Sequence, residues 1–332
     1  MKAAFFCQNP DTIEKDVYGG GRCAKVAELV DLYPVIITPE NIDEHLPALH
    51  DIEAIFSTWG VFVPTEEQFA AMPNLKIMFY AAGSVRNFAP PYFKHGVRVV
   101  SAVQANGTAV AEFTLAQILL ANKGYFQNIR VSDSLATKYD WPRPLYGGNY
   151  DRTVAILGAG TIGKKVIEFL KNFSLKVIVY DPFLPDETAA ELNVEKVSLE
   201  EAFARGNVVS CHIANLPETQ HILRKEHFDS MLPGATFINT GRGAQVDEDG
   251  MIAALTERPD LFALLDVTMP EPPLEDSPLY TLKNVYLSNH IAGTMEAEHR
   301  RMADDCIEEC KRYLAGDPLK YEITLPMLEH MA

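Results

Sequence analysis

Three functional side chains stand just beyond three apolar runs: Arg242 after 235–239, Glu271 after 261–267 and His290 after 285–288. A guanidinium, a carboxylate and an imidazole held together suit hydride transfer to or from an α-keto or α-hydroxy acid. Arg242 can hold a substrate carboxylate bidentately and polarise a carbonyl oxygen where negative charge develops. His290 can give that oxygen a proton as hydride arrives and take it back in reverse. Glu271 beside the imidazole would fix its orientation. Taken singly, each has an ordinary structural reading: a histidine past a strand, a Glu-Pro turn, an arginine beside two glycines. Their shared placement at strand ends is what raises the chemical reading, because open α/β sheets bind ligands at that edge.

The hydride needs a carrier, and the chain has a place for a dinucleotide. The stretch 154–163, VAILGAGTIG, runs four apolar residues into G-x-G-x-x-G, and an amphipathic segment over 164–173 follows. Gly158 permits a tight strand-to-helix turn, Gly160 lets backbone approach a pyrophosphate, and Gly163 lets helix pack on strand. The helix start, with Thr161 and Ile162, offers free N–H groups and a positive dipole end to phosphates. The next apolar run, 176–180, ends on Asp181, at about the 20-residue spacing where an acid accepts hydrogen bonds from the ribose. A carboxylate there repels a 2′-phosphate, and Pro182-Phe183-Leu184 supplies no arginine to bind one, so NAD is expected over NADP.

The elements that must position these groups alternate between strand and helix. Strand-like runs fall at 3–7, 35–38, 52–57, 77–81 and 97–100, with helical patterns at 24–32, 42–49, 65–72 and 90–94. Such alternation indicates a parallel sheet covered by helices. A helix from about Gly107 to Asn122, opened by Asn106 as N-cap, connects this part to the glycine turn. A loop rich in Pro and Gly is expected at 138–149. Beyond Asp181, helices are expected at 199–204, 225–231 and 247–255, and strands at 208–213, 235–239, 261–267 and 285–288. A final helix over 297–314 is broken by Asp317-Pro318. The fold class is α/β, with two doubly wound parallel-sheet halves.

Composition narrows the partners. At 332 residues and 47% hydrophobic, the chain is long enough for two domains with sizeable cores. A formal net charge of −16 leaves no overall basic character for phosphate binding, so nucleic acid is not an expected partner. No apolar run approaches the roughly 20 residues of a membrane span, and the first residues, MKAAFFC, are too short for the apolar core of a signal peptide. Cys7, Cys23, Cys211, Cys306 and Cys310 are few, odd in number and scattered, which favours reduced thiols and a cytoplasmic location. Cys306 and Cys310 share a helix face but have no histidine partners nearby, so no metal is expected.

The residues also carry a specific likeness. The segments are NGTAVAE at 106–112, the glycine turn with Asp181, His212-Ile213-Ala214, INTGRGAQVDE at 238–248, Asp266-Val267 with Glu271-Pro272, and His290-Ile291-Ala292-Gly293. Through them the chain resembles the D-isomer-specific 2-hydroxyacid dehydrogenase family along nearly its whole length. The resemblance implies two Rossmann-like or flavodoxin-like domains with a cleft between them, closed by hinge motion. It implies a discontinuous substrate-binding domain, 1–105 with 296–332, and an NAD-binding domain, 106–295. It places the family's catalytic Arg, Glu and His on Arg242, Glu271 and His290. It puts Thr161 and Ile162 at the pyrophosphate, Ile213, Ala214 and Thr219 along the cofactor, and Thr240 and Gly241 near the nicotinamide. Asp266 would accept from the carboxamide, and Thr108 would approach the ring from the other domain. A homodimer is implied as well.

For the substrate, the resemblance points to Ala82-Gly83-Ser84, whose backbone N–H groups could bind a carboxylate, and to a loop carrying Trp59 and Phe62. Two aromatic residues there suggest an uncharged, apolar substrate side chain. The expected activity is interconversion of a 2-oxo acid and a D-2-hydroxy acid. The alternatives are a phosphoglycerate dehydrogenase, a glyoxylate/hydroxypyruvate reductase, or a non-catalytic NAD-sensing protein similar to corepressors of this fold. Departures from the family pattern are Val85-Arg86-Asn87 where acidic residues are common, Asn289 where Pro is frequent, and Ala214-Asn215 in place of Pro-Leu. None removes a catalytic group.

Overall fold

The computed structural model describes residues 1–131 and 147–330. The strands in chain order are β1 Lys2–Phe6, β2 Asp31–Leu32, β3 Ala54–Ser57, β4 Ile77–Tyr80, β5 Arg98–Ser101, β6 Tyr150–Leu157, β7 Ser174–Tyr180, β8 Glu195–Lys196, β9 Val208–Cys211, β10 Thr236–Asn239, β11 Phe262–Leu265, β12 Val285–Leu287 and β13 Glu322–Ile323. They form two sheets, one in each of two compact units: Met1–Gly107 with Thr294–Ala332, and Thr108–Gly293.

In the first unit the strand order is β13-β5-β4-β3-β1-β2, parallel except where β13 pairs antiparallel with β5. β3 and β4 are buried along their whole length, as strands covered on both faces must be. The final helix, His299–Ala315, sends Met302, Cys306, Ile307 and Cys310 into the same core as Phe56 and Phe79. It ends at Gly316, in the left-handed region at φ +76°, just ahead of Asp317-Pro318.

Two sequence expectations need correction here. The strand expected at 35–38 does not form, and β2 occupies Asp31–Leu32, where the helix Arg22–Leu29 has already stopped. Tyr33 N still donates to Ala3 O at 2.7 Å, but Pro34 has no N–H to carry the ladder on. The chain rejoins β1 only at Ile37, whose N donates to Phe5 O and whose O accepts from Cys7 N. The connecting helix runs Val103–Asn122, four residues longer at its start than expected. Ser101 at the end of β5, two residues before the helix, satisfies its first N–H, its Oγ accepting from Val103 N at 3.2 Å. Asn106 lies inside the helix, and its Oδ1 accepts from both the N and the Oγ1 of Thr294, each at 3.1 Å. That bond ties together the two stretches of chain that lead out of and back into the first unit.

The second unit is an all-parallel sheet of order β12-β11-β10-β9-β6-β7-β8. From β6 the chain winds one way through β7 and β8, then returns to lay β9 on the other side of β6. This reversal is the topological switch point at which doubly wound sheets open a crevice. The helix Thr161–Leu170 turns Gly163, Val166, Ile167 and Leu170 inward, an i, i+3, i+4, i+7 stripe that seats it on the sheet. The helix Leu199–Arg205 starts with a reciprocal cap, Ser198 Oγ accepting from Glu201 N and Glu201 Oε2 accepting from Ser198 N. The Pro- and Gly-rich loop expected at 138–149 lies, for 138–146, outside the described residues. Among the described residues no helix is long and apolar enough to cross a membrane.

Candidate active site

Register sets the site. Leu157 pairs with Tyr180 on one side and Cys211 on the other, and the line continues through Asn239, Leu265 and Leu287. One row of Cα partners therefore crosses six strands at their carboxyl ends. Gly158, Asp181, His212, Thr240, Asp266 and Ser288 all stand one residue past it. Parallel pairing turns six distant segments into one edge.

The glycine turn has the geometry of a phosphate cradle. Gly158 sits at φ +89°, and a Cβ there would lie 2.7 Å from His212 O. A Cβ on Gly163 would lie 2.0 Å from Gly158 O, so the helix closes on the turn only because the position is bare. Gly160 faces open space instead, with nothing within 4 Å of the place its Cβ would take. Among the described residues no side chain caps the first turn of the Thr161–Leu170 helix, which leaves its N–H groups open toward that space. The residues present therefore fit a dinucleotide pyrophosphate. Asp181 braces the turn as well as marking it: Oδ2 accepts from Ala159 N at 2.7 Å and Oδ1 from Phe183 N at 2.8 Å. Each oxygen keeps a second lone pair for a ribose hydroxyl.

Beside the turn, His212 bonds through Nε2 to Ser210 Oγ at 2.9 Å, while its Nδ1 is shut off from solvent without a partner among the described residues. Burial pushes the imidazole down to about 4, so the ring is neutral at ordinary pH. Ile213 and Ala214 follow on the half-exposed segment leaving β9. Ile213 O accepts from Gln245 Nε2. The Thr219 hydroxyl is turned into its own loop, donating to Ala214 O at 2.6 Å and accepting from Leu216 N at 2.9 Å.

After β10, buried Asn239 brackets the turn that carries Arg242. Its Oδ1 accepts from Gly241 N and its Nδ2 donates to Arg242 O. Thr240 points into the fold, its Oγ1 3.1 Å from Thr114 Oγ1 on the Val103–Asn122 helix. The Arg242 guanidinium is half-buried and donates through Nη1 to Gly241 O at 2.7 Å. Gly243 brings the next loop alongside: a Cβ there would lie 2.0 Å from the Thr268 carbonyl carbon and 2.5 Å from Met269 N. The backbone that leads to Glu271 thus runs against the backbone that follows Arg242. Met269 N also donates to Glu248 Oε2, a carboxyl raised by burial.

Glu271 and His290 meet directly. Glu271 Oε1 lies 2.7 Å from His290 Nδ1, with side chains 40% and 47% exposed. Nδ1 is therefore committed to the carboxylate, and Nε2 is left as the ring atom for proton exchange. His290 has a positive φ of 54°, unusual for a residue with a side chain. Arg242 is beside this pair through the loop contact at Gly243 but not bonded to it. Asp266, one residue past β11, is 2% exposed, and its carboxylate is taken up by the backbone of the His290 loop.

The remaining expected residues are distributed as follows. Thr108 lies on the Val103–Asn122 helix at the first residue of the second unit, so it does not belong to the opposite unit as the resemblance implied. Ala82, Gly83, Ser84 and Trp59 belong to the first unit, past its own carboxyl-end row of Phe6, Ser57, Tyr80 and Ser101. Ala82 is buried, Ser84 is exposed, and Ser101 Oγ donates to Gly83 O at 2.6 Å. The Gly83 and Ser84 N–H groups have no partner among the described residues. Trp59 is 38% exposed, its carbonyl accepting from Cys7 Sγ and its ring set edge-on to His299 at 4.9 Å. It is not core. Sequence reasoning missed Asn239, Thr114, Glu248 and Ser288. Only Asn239 had a visible signal, a polar residue closing an apolar strand.

Comparison with known proteins places this architecture. Residues 124–292, just over half of the chain, match the family described as D-isomer specific 2-hydroxyacid dehydrogenase, NAD binding domain. The chain belongs to the D-isomer specific 2-hydroxyacid dehydrogenase family. It is 31% identical over 278 residues to a D-3-phosphoglycerate dehydrogenase of Mycobacterium bovis, covering 83% of this chain and 52% of that protein. A protein of the same name from Methanocaldococcus jannaschii is 30% identical over 288 residues, covering 86% of this chain and 54% of its own. The chain thus spans about half the length of the curated relatives it matches. In fold it is similar to the apo form of Rhodotorula graminis D-mandelate dehydrogenase, with a TM-score of 0.77, 21% identity and 97% of each chain covered. The family and the α/β fold of two parallel sheets expected from the sequence are both borne out.

Proposed function

We propose that this protein is an NAD-dependent dehydrogenase that interconverts a 2-oxo acid and the corresponding D-2-hydroxy acid. The observation that carries the reading is the Glu271–His290 pair, bonded at 2.7 Å on the sheet edge that also holds the phosphate cradle and the Arg242 loop. Bound NAD(H) supplies or accepts the hydride. Gly158, Gly160, Thr161, Ile162 and Gly163 would hold its pyrophosphate, Asp181 its ribose, and Ile213, Ala214, Thr219, Thr240, Gly241, Asp266 and Thr108 the remainder. Arg242 binds the substrate carboxylate and stabilises charge on the reacting oxygen. His290 Nε2 gives that oxygen a proton in reduction and removes it in oxidation, while Glu271 holds Nδ1–H and hence the ring's orientation.

The first unit, with Trp59, Phe62 and the Ala82-Gly83-Ser84 backbone, is assigned to substrate binding. Phe62 stacks on Phe6 at 5.4 Å, and no lysine or arginine lies between Ser57 and Phe62, which favours an uncharged substrate side chain. The relatives' names favour a second reading, oxidation of 3-phosphoglycerate. A homodimer and a cytoplasmic location complete the proposal, the latter supported by five unpaired cysteines. The deciding experiment follows NADH absorbance with aliphatic and aromatic 2-oxo acids and with 3-phosphohydroxypyruvate. Turnover of the former in preference to the phosphate supports the reading. Preference for the phosphate moves it to the second, and NADH binding without turnover of any member ends the assignment of catalysis.

A further inference from the structure

The loop that presents His290 is built around one buried carboxylate. Asp266 O accepts from His290 N at 3.0 Å, Oδ1 accepts from Ile291 N at 2.9 Å and Oδ2 from Ala292 N at 2.9 Å. A third donor reaches the carboxylate: Ser288 Oγ, 2.6 Å from Oδ1. Ser288 is itself fixed to the sheet, its N donating to Leu265 O at 2.9 Å. Residues 288–292 therefore wrap Asp266 from both sides of His290, and this wrapping holds His290 at its positive φ. Such a backbone conformation is strained for a non-glycine residue and persists only where the surroundings over-determine it.

The Ser288 hydroxyl has a distinct part in this. Two backbone N–H groups can follow a carboxylate that rotates, because both sit on the same loop. A hydroxyl anchored through β12 cannot, so it pins the carboxylate relative to the sheet rather than to the loop. Charge-assisted O–H···O⁻ bonds of this length are among the stronger hydrogen bonds in proteins. We propose that Ser288 is a positioning residue for proton transfer: by locking Asp266 it fixes the strained loop that aims His290 Nε2 while Nδ1 stays on Glu271. This rests on the reading of His290 as the proton-handling group. Ser288 itself touches no reacting atom.

The test compares wild type, Ser288→Ala and Ser288→Thr with NADH and the best 2-oxo acid found for wild type. The expected result is a kcat about 10-fold lower in Ser288→Ala, within the ~10²-fold that misplacing a catalytic group costs. NADH affinity should stay within about twofold, and kcat should return in Ser288→Thr, which restores a hydroxyl. A larger solvent deuterium isotope effect on kcat in Ser288→Ala marks the defect as proton alignment, which a loss of fold stability alone would not change. If Ser288→Ala does not fold, Ser288→Cys keeps a weak donor and should show an intermediate kcat with the same isotope signature. Unchanged kcat in Ser288→Ala or in Ser288→Cys, no rescue by Ser288→Thr, or an unchanged isotope effect overturns the proposal. Absence of wild-type turnover would instead overturn the functional reading beneath it.

Discussion

Glu271 and His290, 19 positions apart in the chain, are joined by a 2.7 Å bond between Oε1 and Nδ1. The contact is made possible by β11 and β12 lying side by side and releasing their loops at the same edge. Because the carboxylate takes one ring nitrogen, the pair acts as a unit. His290→Ala is expected to lower kcat by about 10²–10⁴-fold, the usual worth of general acid–base catalysis. Glu271→Ala should lower it less, and the double variant should be no worse than His290→Ala alone, since residues in contact are not additive. Steady-state kinetics of the four proteins check this; fully additive losses would mean the two groups work independently.

Asp181 joins specificity to architecture. Asp181→Ala removes the repulsion of a 2′-phosphate and also the acceptor for Ala159 N. NADH binding should weaken while discrimination against NADPH relaxes. Fluorescence titration with both dinucleotides measures it, and a variant that still rejects NADPH as strongly would contradict the assignment.

Gly163 tolerates no side chain, since a Cβ would sit 2.0 Å from Gly158 O. Gly163→Ala must push the helix off the glycine turn, an overpacking that costs about 1–3 kcal/mol. Lower thermal stability and loss of NADH binding are expected together. A stable Gly163→Ala protein with normal NADH affinity would show that the turn can open freely.

His212 supplies a pH signature. Burial pushes the folded imidazole down to about 4, against 6.5 for a solvated histidine, so the unfolded chain binds the extra proton first. Stability is intact above pH ~6.5 and is lost as pH falls toward 4, by as much as roughly 3 kcal/mol from this group. Replacing it with a residue that does not titrate, as in His212→Gln, should flatten that acid limb in urea unfolding measured from about pH 7 to 4. An unaltered limb would mean the imidazole is hydrated.

Much of this was legible from residue order because the site follows from local patterns repeated at strand ends. Val154 to Gly163 announces strand, turn and helix by itself, and Asp181 falls where the next strand must stop. What was not legible depends on tertiary partners. Pro34 stands just before the strand expected at 35–38, and only the ladder with β1 shows which N–H it lacks. Asn106 was a reasonable helix cap by type, but Ser101 stood nearer the true start, and Asn106 was needed by Thr294. Ser288 and Thr114 are ordinary hydroxyls in sequence; only the partners Asp266 and Thr240 give them a role.

The final helix has a consequence for biosynthesis. Met302, Cys306, Ile307 and Cys310 complete the core that begins with Ala3 and Phe6, and Ile323 pairs with Val99 at the sheet's far edge. During synthesis the segment 1–107 is therefore short of a finished interior until the final helix has been made. The continuous stretch from Thr108 to Gly293 has every strand of its own sheet before the tail arrives. The sheet that comes earlier in the sequence must wait for that helix, and the later one can close first.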